Sequence, residues 1–299
     1  QWTFSQVHDG PGWLRDQGVF ALKSYGFLEG VQATSTLSII ADPSRKRDSY
    51  QLDVTASGDV LIIAESRRAL RYALETLSQS IRLNERTITL PIMRVKDGPD
   101  MAVRGFIEGF YGTPWSHETR LTMIDSLAAW RYNAYFYAPK DDRYHRDLWR
   151  MPYPDDKLAE LLELKSACDA QAVDFHFAIS PGKDFNPCLE EDYNALYRKI
   201  DQVLAHGVRH IALLFDDIEP VLDAEATARF KRLGIVHAHV TNQLHDYLNG
   251  HLSEPVLTVC PTEYSHVGPS VYREDFGRTL HADIPCFLPV TTSLPRCLM

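Results

Sequence analysis

Two adjacent carboxylates, Asp216 and Asp217, end the apolar run Leu213-Leu214-Phe215. Like charges repel, so one member of such a pair is pushed toward its protonated form while the other stays ionised. A protonated carboxyl beside an ionised one suits acid/base work near neutral pH. The plainer reading is a helix N-cap or a loop pair. Neighbouring strand residues point in opposite directions, so symmetric roles on one bond are not expected of the two.

Three other stretches carry polar groups after apolar runs. Gly105-Phe106-Ile107-Glu108-Gly109-Phe110-Tyr111-Gly112-Thr113-Pro114-Trp115 sets aromatic residues among glycines. Glycine admits close approach of backbone to a ligand, and aromatic rings with a polar edge suit sugar faces. A tight turn with buried rings is the competing reading. Tyr137-Ala138-Pro139-Lys140-Asp141-Asp142 offers a lysine that either reaches ligand hydroxyls or pairs with its acidic neighbours. Cys260-Pro261-Thr262-Glu263-Tyr264 offers a tyrosine, or simply a turn with that ring half buried.

The elements that must position these residues come in two regimes. Residues 1–98 read as a small α+β unit, with strands at Thr36–Ile40, Tyr50–Ala56 and Val60–Ala64 and a hairpin turn at Gly58-Asp59. A helix is predicted over Ser66–Ile81, followed by strands at Thr87–Pro91 and around Met93. Lys96 to Asp100 is turn-rich and marks the expected boundary. From 99 to 299 the pattern alternates strand and helix. Strands are predicted at Val103–Phe110, Asn133–Ala138, Val173–Ile179, His210–Phe215, Val256–Cys260 and Ile284–Leu288. Helices are predicted over about 117–130, 155–171, 190–206 and 223–249. Apolar strands alternating with helices imply a parallel sheet covered on both faces. A doubly wound sheet and a (β/α)₈ barrel both fit. No G-x-G-x-x-G loop is present, which disfavours a nucleotide fold. Glu108, Lys140, Asp216, Asp217 and Glu263 fall at or after strand C-termini, where barrel active sites lie.

The 299 residues are 44% hydrophobic with a formal net charge of −9, enough apolar residues for a large core and no basic patch for nucleic acid. The five cysteines, Cys168, Cys188, Cys260, Cys286 and Cys297, are scattered with no C-x-x-C pair, so free thiols are expected and neither disulfides nor a zinc site. The twelve histidines show no metal-ligand spacing and read as packing or surface residues. Apolar stretches are strand-length, so no membrane span is expected. The chain opens at Gln1, which fits a cut boundary or a processed signal peptide.

Taken in order, "EGFYGTPW", "YAPKDD", "LLFDDI" and "CPTEY" resemble glycoside hydrolase family 84, the O-GlcNAcase and β-N-acetylglucosaminidase family. The resemblance covers about residues 30–285 and includes the small domain that precedes the barrel in bacterial-type members. It implies a TIM (β/α)₈ barrel and a retaining hydrolase of β-linked N-acetylglucosamine that uses the substrate's 2-acetamido group as nucleophile. Asp216 would accept the acetamido N–H, and Asp217 would serve as acid then base. Tyr264 would bond near the acetamido group, Tyr111 would lie beside it, and the Gly109 carbonyl and Lys140 would contact sugar hydroxyls. No cofactor and no metal is implied. The partner implied is an N-acetylglucosamine-containing glycan or an O-GlcNAc-modified protein, with no nucleic acid and no membrane, and family analogy suggests a soluble, secreted bacterial origin.

The family pattern continues with a Trp-Thr-Gly segment and a later Trp-Asp-Asn…Asn-Asp-Tyr-Asp strand that bind the sugar and leaving group. This chain instead ends Pro289 to Met299. The barrel is therefore expected to be incomplete, with about six βα units. A shifted reading frame from Pro289 could encode Thr-Gly-Asp-Asp-Val-Thr-Ser-Pro, which resembles the family continuation. Such a barrel would expose two strand edges. Weak turnover follows as the expectation, with an inert N-acetylglucosamine-binding remnant as the alternative.

Overall fold

A computed structural model describes residues 2–4, 27–29, 35–84, 87–218, 221–254, 256–265 and 268–287, with side-chain surroundings left out for the two short N-terminal strands and for 83–88. The chain divides into two compact units, Gln1–Val103 and Arg104–Met299.

In the first unit, β1 (Trp2–Phe4) pairs in parallel with β2 (Phe27–Glu29). Then come β3 (Leu37–Ala41), β4 (Tyr50–Val54), β5 (Val60–Ala64), α1 (Arg67–Ser80), β6 (Arg82–Asn84), β7 (Thr87–Thr89) and β8 (Met93–Asp97). The main sheet has the order β3-β5-β4-β8. β4 and β5 form the hairpin expected at Gly58, whose φ of 86° needs a residue without Cβ strain. The Ser66 side chain accepts the Ala69 N–H and starts α1. The apolar face of α1, with Ala69, Leu70, Ala73 and Leu77, packs on Leu52, Val60 and Ile62 as one buried cluster.

In the second unit, strands and helices alternate as β9 (Gly105–Glu108), α2 (His117–Ala129), β10 (Ala134–Tyr137), α3 (Asp155–Ala170), β11 (Asp174–Ile179), α4 (Glu190–Leu204) and β12 (His210–Leu214). The chain continues through α5 (Ala224–Phe230), α6 (Leu233–His251), β13 (Val256–Cys260) and α7 (Val271–Thr279). The five strands are all parallel and lie in chain order, β9 to β13, without a reversal. Side-chain parity splits their buried residues into two sets. Tyr135, Phe177, Ile211 and Leu213 join the helices in the large core. Ala134, Phe136, Ala178, Ala212, Leu214 and Cys260 form a second, smaller-residue cluster on the other face. Both faces are therefore apolar, which explains why the strands read as continuous hydrophobic runs.

Three expectations need correction. The helix expected over about 223–249 is two, because Lys231 adopts a left-handed φ of 70° that ends α5. The sixth strand expected at Ile284–Leu288 is, among the described residues, an isolated parallel bridge between Cys286 and Val259. Helix α7 was not expected: Arg273, Glu274, Asp275 and Arg278 mask its apolar Phe276. The Pro289–Met299 segment and its reading frame lie outside the described residues, as do Leu288 and Cys297. Cys168, Cys188 and Cys260 carry free thiols.

Candidate active site at the strand C-termini

Asp216 and Asp217 follow β12 in a turn rather than in the strand. Asp217 has φ 53°, a left-handed conformation uncommon for a residue with Cβ. Such strain is held where the surroundings fix it, and it aims the two successive carboxylates independently of strand alternation. Phe215, just before them, is buried and stacks on the His237 ring of α6 with centroids 4.1 Å apart. Thr262 donates its hydroxyl to the Phe215 carbonyl at 2.8 Å, tying the loop after β13 to the end of β12. Apolar packing on one side and a cross-loop hydrogen bond on the other thus fix the aspartate turn.

Lys140 does not pair with Asp141 or Asp142, its acidic neighbours in sequence. Its ammonium donates to Asp216 Oδ2 at 2.5 Å, and its side chain is 1% exposed. The other oxygen, Asp216 Oδ1, is buried and has no partner among the described residues. An unmatched buried acceptor costs on the order of 1–3 kcal/mol, which sets this oxygen apart from Oδ2. Asp142, by contrast, accepts from the Tyr137 and Tyr153 hydroxyls at 2.9 and 2.8 Å and from the Tyr144 N–H.

Asp217 is exposed, and its backbone carbonyl accepts from Arg146 Nη2 at 2.6 Å. Arg146 is buried, and its Nη1 donates to the Tyr111 hydroxyl at 2.6 Å. One guanidinium therefore joins the loop after β9 to the aspartate turn. The Tyr111 ring stays 57% exposed at this rim. Burial, followed by the negative charges of Asp217 and Asp216, pushes the Tyr264 phenol above its ordinary value. Gly109 sits one residue beyond β9, at the same end of the sheet as the aspartate turn. Trp115 packs locally, stacked on Phe106 with centroids 5.2 Å apart.

Glu108 ends β9 as expected but turns away from the aspartates. It is fully buried on the helix side, gripped by Arg120 at 2.8–3.1 Å and by the Tyr135 hydroxyl at 2.5 Å. Its strand parity matches the helix-facing residues, so it clamps α2 to the sheet and does not face the aspartates. Arg146 and His145 were missed by sequence reasoning. His145 is buried, its Nδ1 bonds the Ala178 carbonyl at 2.9 Å, and its Nε2 has no partner. Burial lowers its pKa to about 4. No spacing rule could have found either residue, because each acts across loops.

The family model described as beta-N-acetylglucosaminidase matches residues 104–292, the whole stretch that carries this constellation. The chain belongs to glycoside hydrolase family 84. It is 38% identical over 179 residues to the protein O-GlcNAcase of Rattus norvegicus, covering 59% of this chain and 19% of that protein. The solved structure of CpGH84B aligns with a TM-score of 0.79 at 29% identity, over 95% of this chain and 52% of that one. A Thermobaculum terrenum O-GlcNAc hydrolase variant aligns with a TM-score of 0.61 at 36% identity, over 62% of this chain and 40% of that one. The chain thus spans about a fifth of the curated relative and half of the CpGH84B chain. Among the described residues, no helix is long and apolar enough to cross a membrane.

Proposed function

We propose that this family 84 chain is a retaining β-N-acetylglucosaminidase whose substrate supplies its own nucleophile. The observation that carries the reading is the split environment of Asp216, with Oδ2 held by buried Lys140 and Oδ1 buried without a partner. A carboxylate fixed at one oxygen and unpartnered at the other fits the N–H of a 2-acetamido group. Accepting that hydrogen bond orients the acetamido oxygen and raises its electron density for attack on the anomeric carbon. The C–O bond to the leaving group breaks as the ring carbon–acetamido oxygen bond forms, giving a bicyclic oxazolinium. Asp217, exposed on the same turn, gives its proton to the leaving oxygen. It then takes a proton from the water that opens the oxazoline, restoring the enzyme with net retention.

Tyr264, placed close enough for its phenol to feel both aspartates, bonds near the acetamido group. Tyr111 lines its side, oriented by Arg146. The Gly109 carbonyl and the remaining Lys140 N–H donors serve sugar hydroxyls. Parallel strands in unbroken chain order, with both faces buried, support a (β/α)₈-type scaffold behind the site and a small α+β domain before it. A terminal N-acetylglucosamine on a glycan or on a protein hydroxyl is the substrate class.

Hydrolysis of 4-methylumbelliferyl β-N-acetylglucosaminide tests the proposal. Release of fluorophore by the wild type, lowered about 10²–10⁴-fold in Asp217→Ala, is expected from loss of a general acid. Release by the wild type that Asp217→Ala leaves unchanged would refute the assignment. A folded chain that binds the sugar without turnover would favour the binding-only reading.

A further inference from the structure

A second polar constellation lies apart from the strand C-termini. α6 contributes His245 and Asp246 near its end, and the segment after α7 contributes His281 and Asp283. His245 Nδ1 and His281 Nδ1 face each other at 3.5 Å, and Asp246 Oδ1 lies 3.7 Å from each. These distances define a nearly equilateral triangle of lone-pair donors. A point equidistant from all three atoms lies about 2.1 Å from each, the bond length of a divalent zinc to imidazole nitrogen or carboxylate oxygen.

The surroundings fix this arrangement. His245 Nε2 lies 3.2 Å from Asp283 Oδ2, an ion-pair distance that places a carboxylate behind the ring edge opposite the triangle. A carboxylate behind a ligating imidazole is the usual outer partner of a metal-bound histidine. Asn242 donates to the Thr279 carbonyl at 2.8 Å and accepts the His281 N–H at 2.9 Å, bracketing the segment that presents His281. Asn249 Nδ2 lies 3.2 and 3.3 Å from the two His245 nitrogens, within hydrogen-bonding reach of either, and holds the ring from the neighbouring turn of α6.

Without a cation, two imidazoles and a carboxylate converge with one long N···N contact of 3.5 Å between the rings and, among the described residues, no hydrogen bond from either ring to Asp246. Two imidazolium rings at this separation would repel. We infer that His245, His281 and Asp246 form a binding site for a divalent transition metal of the zinc type, with Asp283 positioning His245. Two imidazole nitrogens and one oxygen favour Zn²⁺, Co²⁺, Ni²⁺ or Cu²⁺ over Ca²⁺ or Mg²⁺, which require oxygen shells. Asp246 and His281 have side chains 59% and 41% exposed, which leaves an outward position for water. The ion would staple α6 to the chain after α7, elements that sequence spacing alone does not relate.

Calorimetric titration of chelator-treated protein with Zn²⁺ tests this, with Co²⁺ absorption as a second readout. One saturable equivalent is expected for the wild type, lost in both His245→Ala and His281→Ala, with circular dichroism unchanged. Asp283→Asn should weaken binding about 10–100-fold, as for other outer-shell partners. His281→Asn, at a partly exposed position, serves if His281→Ala fails to fold. No saturable equivalent in the wild type, or an equivalent that survives His281 replacement, would overturn the site.

Discussion

At Asp216 the two oxygens of one carboxylate have different fates, and that asymmetry underlies the proposed chemistry. Replacing Lys140 by Met would leave the carboxylate without its buried counter-charge. A loss of about 3–5 kcal/mol is expected, read by chemical denaturation. A change below about 1 kcal/mol would mean that water replaces the ammonium. Arg146 acts through the Asp217 carbonyl and Tyr111 rather than on a reacting atom. Arg146→Ala should cost kcat about 10²-fold through misplacement of the turn, while the circular dichroism spectrum stays that of the wild type. Arg146→Lys cannot span both acceptors with one planar fork and should restore little. The aspartates and Lys140 were legible because polar residues that end apolar strands stand out in sequence. Arg146 and His145 were not, since nothing in their spacing reports a partner in another loop. Glu108 stood out for the same reason as the aspartates, yet its parity turns it under α2.

At the scale of elements, period-2 burial governs what could be read. Strands buried on both faces appear as uninterrupted apolar runs, so β10 to β13 were visible, and Leu196, Ile200 and Val203 marked α4. Its end is set by Gly207 at φ 79°. The break between α5 and α6 rests on one left-handed residue, Lys231, which has no signature in composition. Helix α7 is short and heavily charged, so its single buried aromatic did not declare a face. Leu213, next to the end of β12, is completely buried and packs against the helices. Leu213→Ala should lower stability by about 2–5 kcal/mol, measured by urea denaturation. An effect under 1 kcal/mol would show that β12 is not a central strand.

For the whole molecule, buried neutral histidines set an acid limit. Burial lowers the His237 pKa to about 3 and the His145 pKa to about 4, against an ordinary 6.5. Between about pH 4 and 6.5 the unfolded chain binds protons that the folded chain does not. Stability therefore rises with pH across that window and loses this dependence above it. Melting temperature followed from pH 4.5 to 7.5 should show the slope, and His237→Gln should flatten it; an unchanged slope would place the uptake elsewhere. The change of pattern expected near Lys96–Asp100 lies a few residues before the division into two units after Val103. The cluster of His245, Asp246 and His281 was not visible in the sequence, because His245 and His281 meet only through tertiary packing of α6 against α7 and the chain after it.

Acceptance of the acetamido N–H by Asp216 Oδ1 is tested most directly, and without turnover, by calorimetry. The ligand is an N-acetylglucosamine-derived thiazoline, which mimics the bicyclic intermediate. The expected result is one-to-one binding to the wild type, weakened about 10–150-fold in Asp216→Ala, the value of a hydrogen bond to a charged group. Equal affinity for the two proteins, or none for the folded wild type, would contradict it.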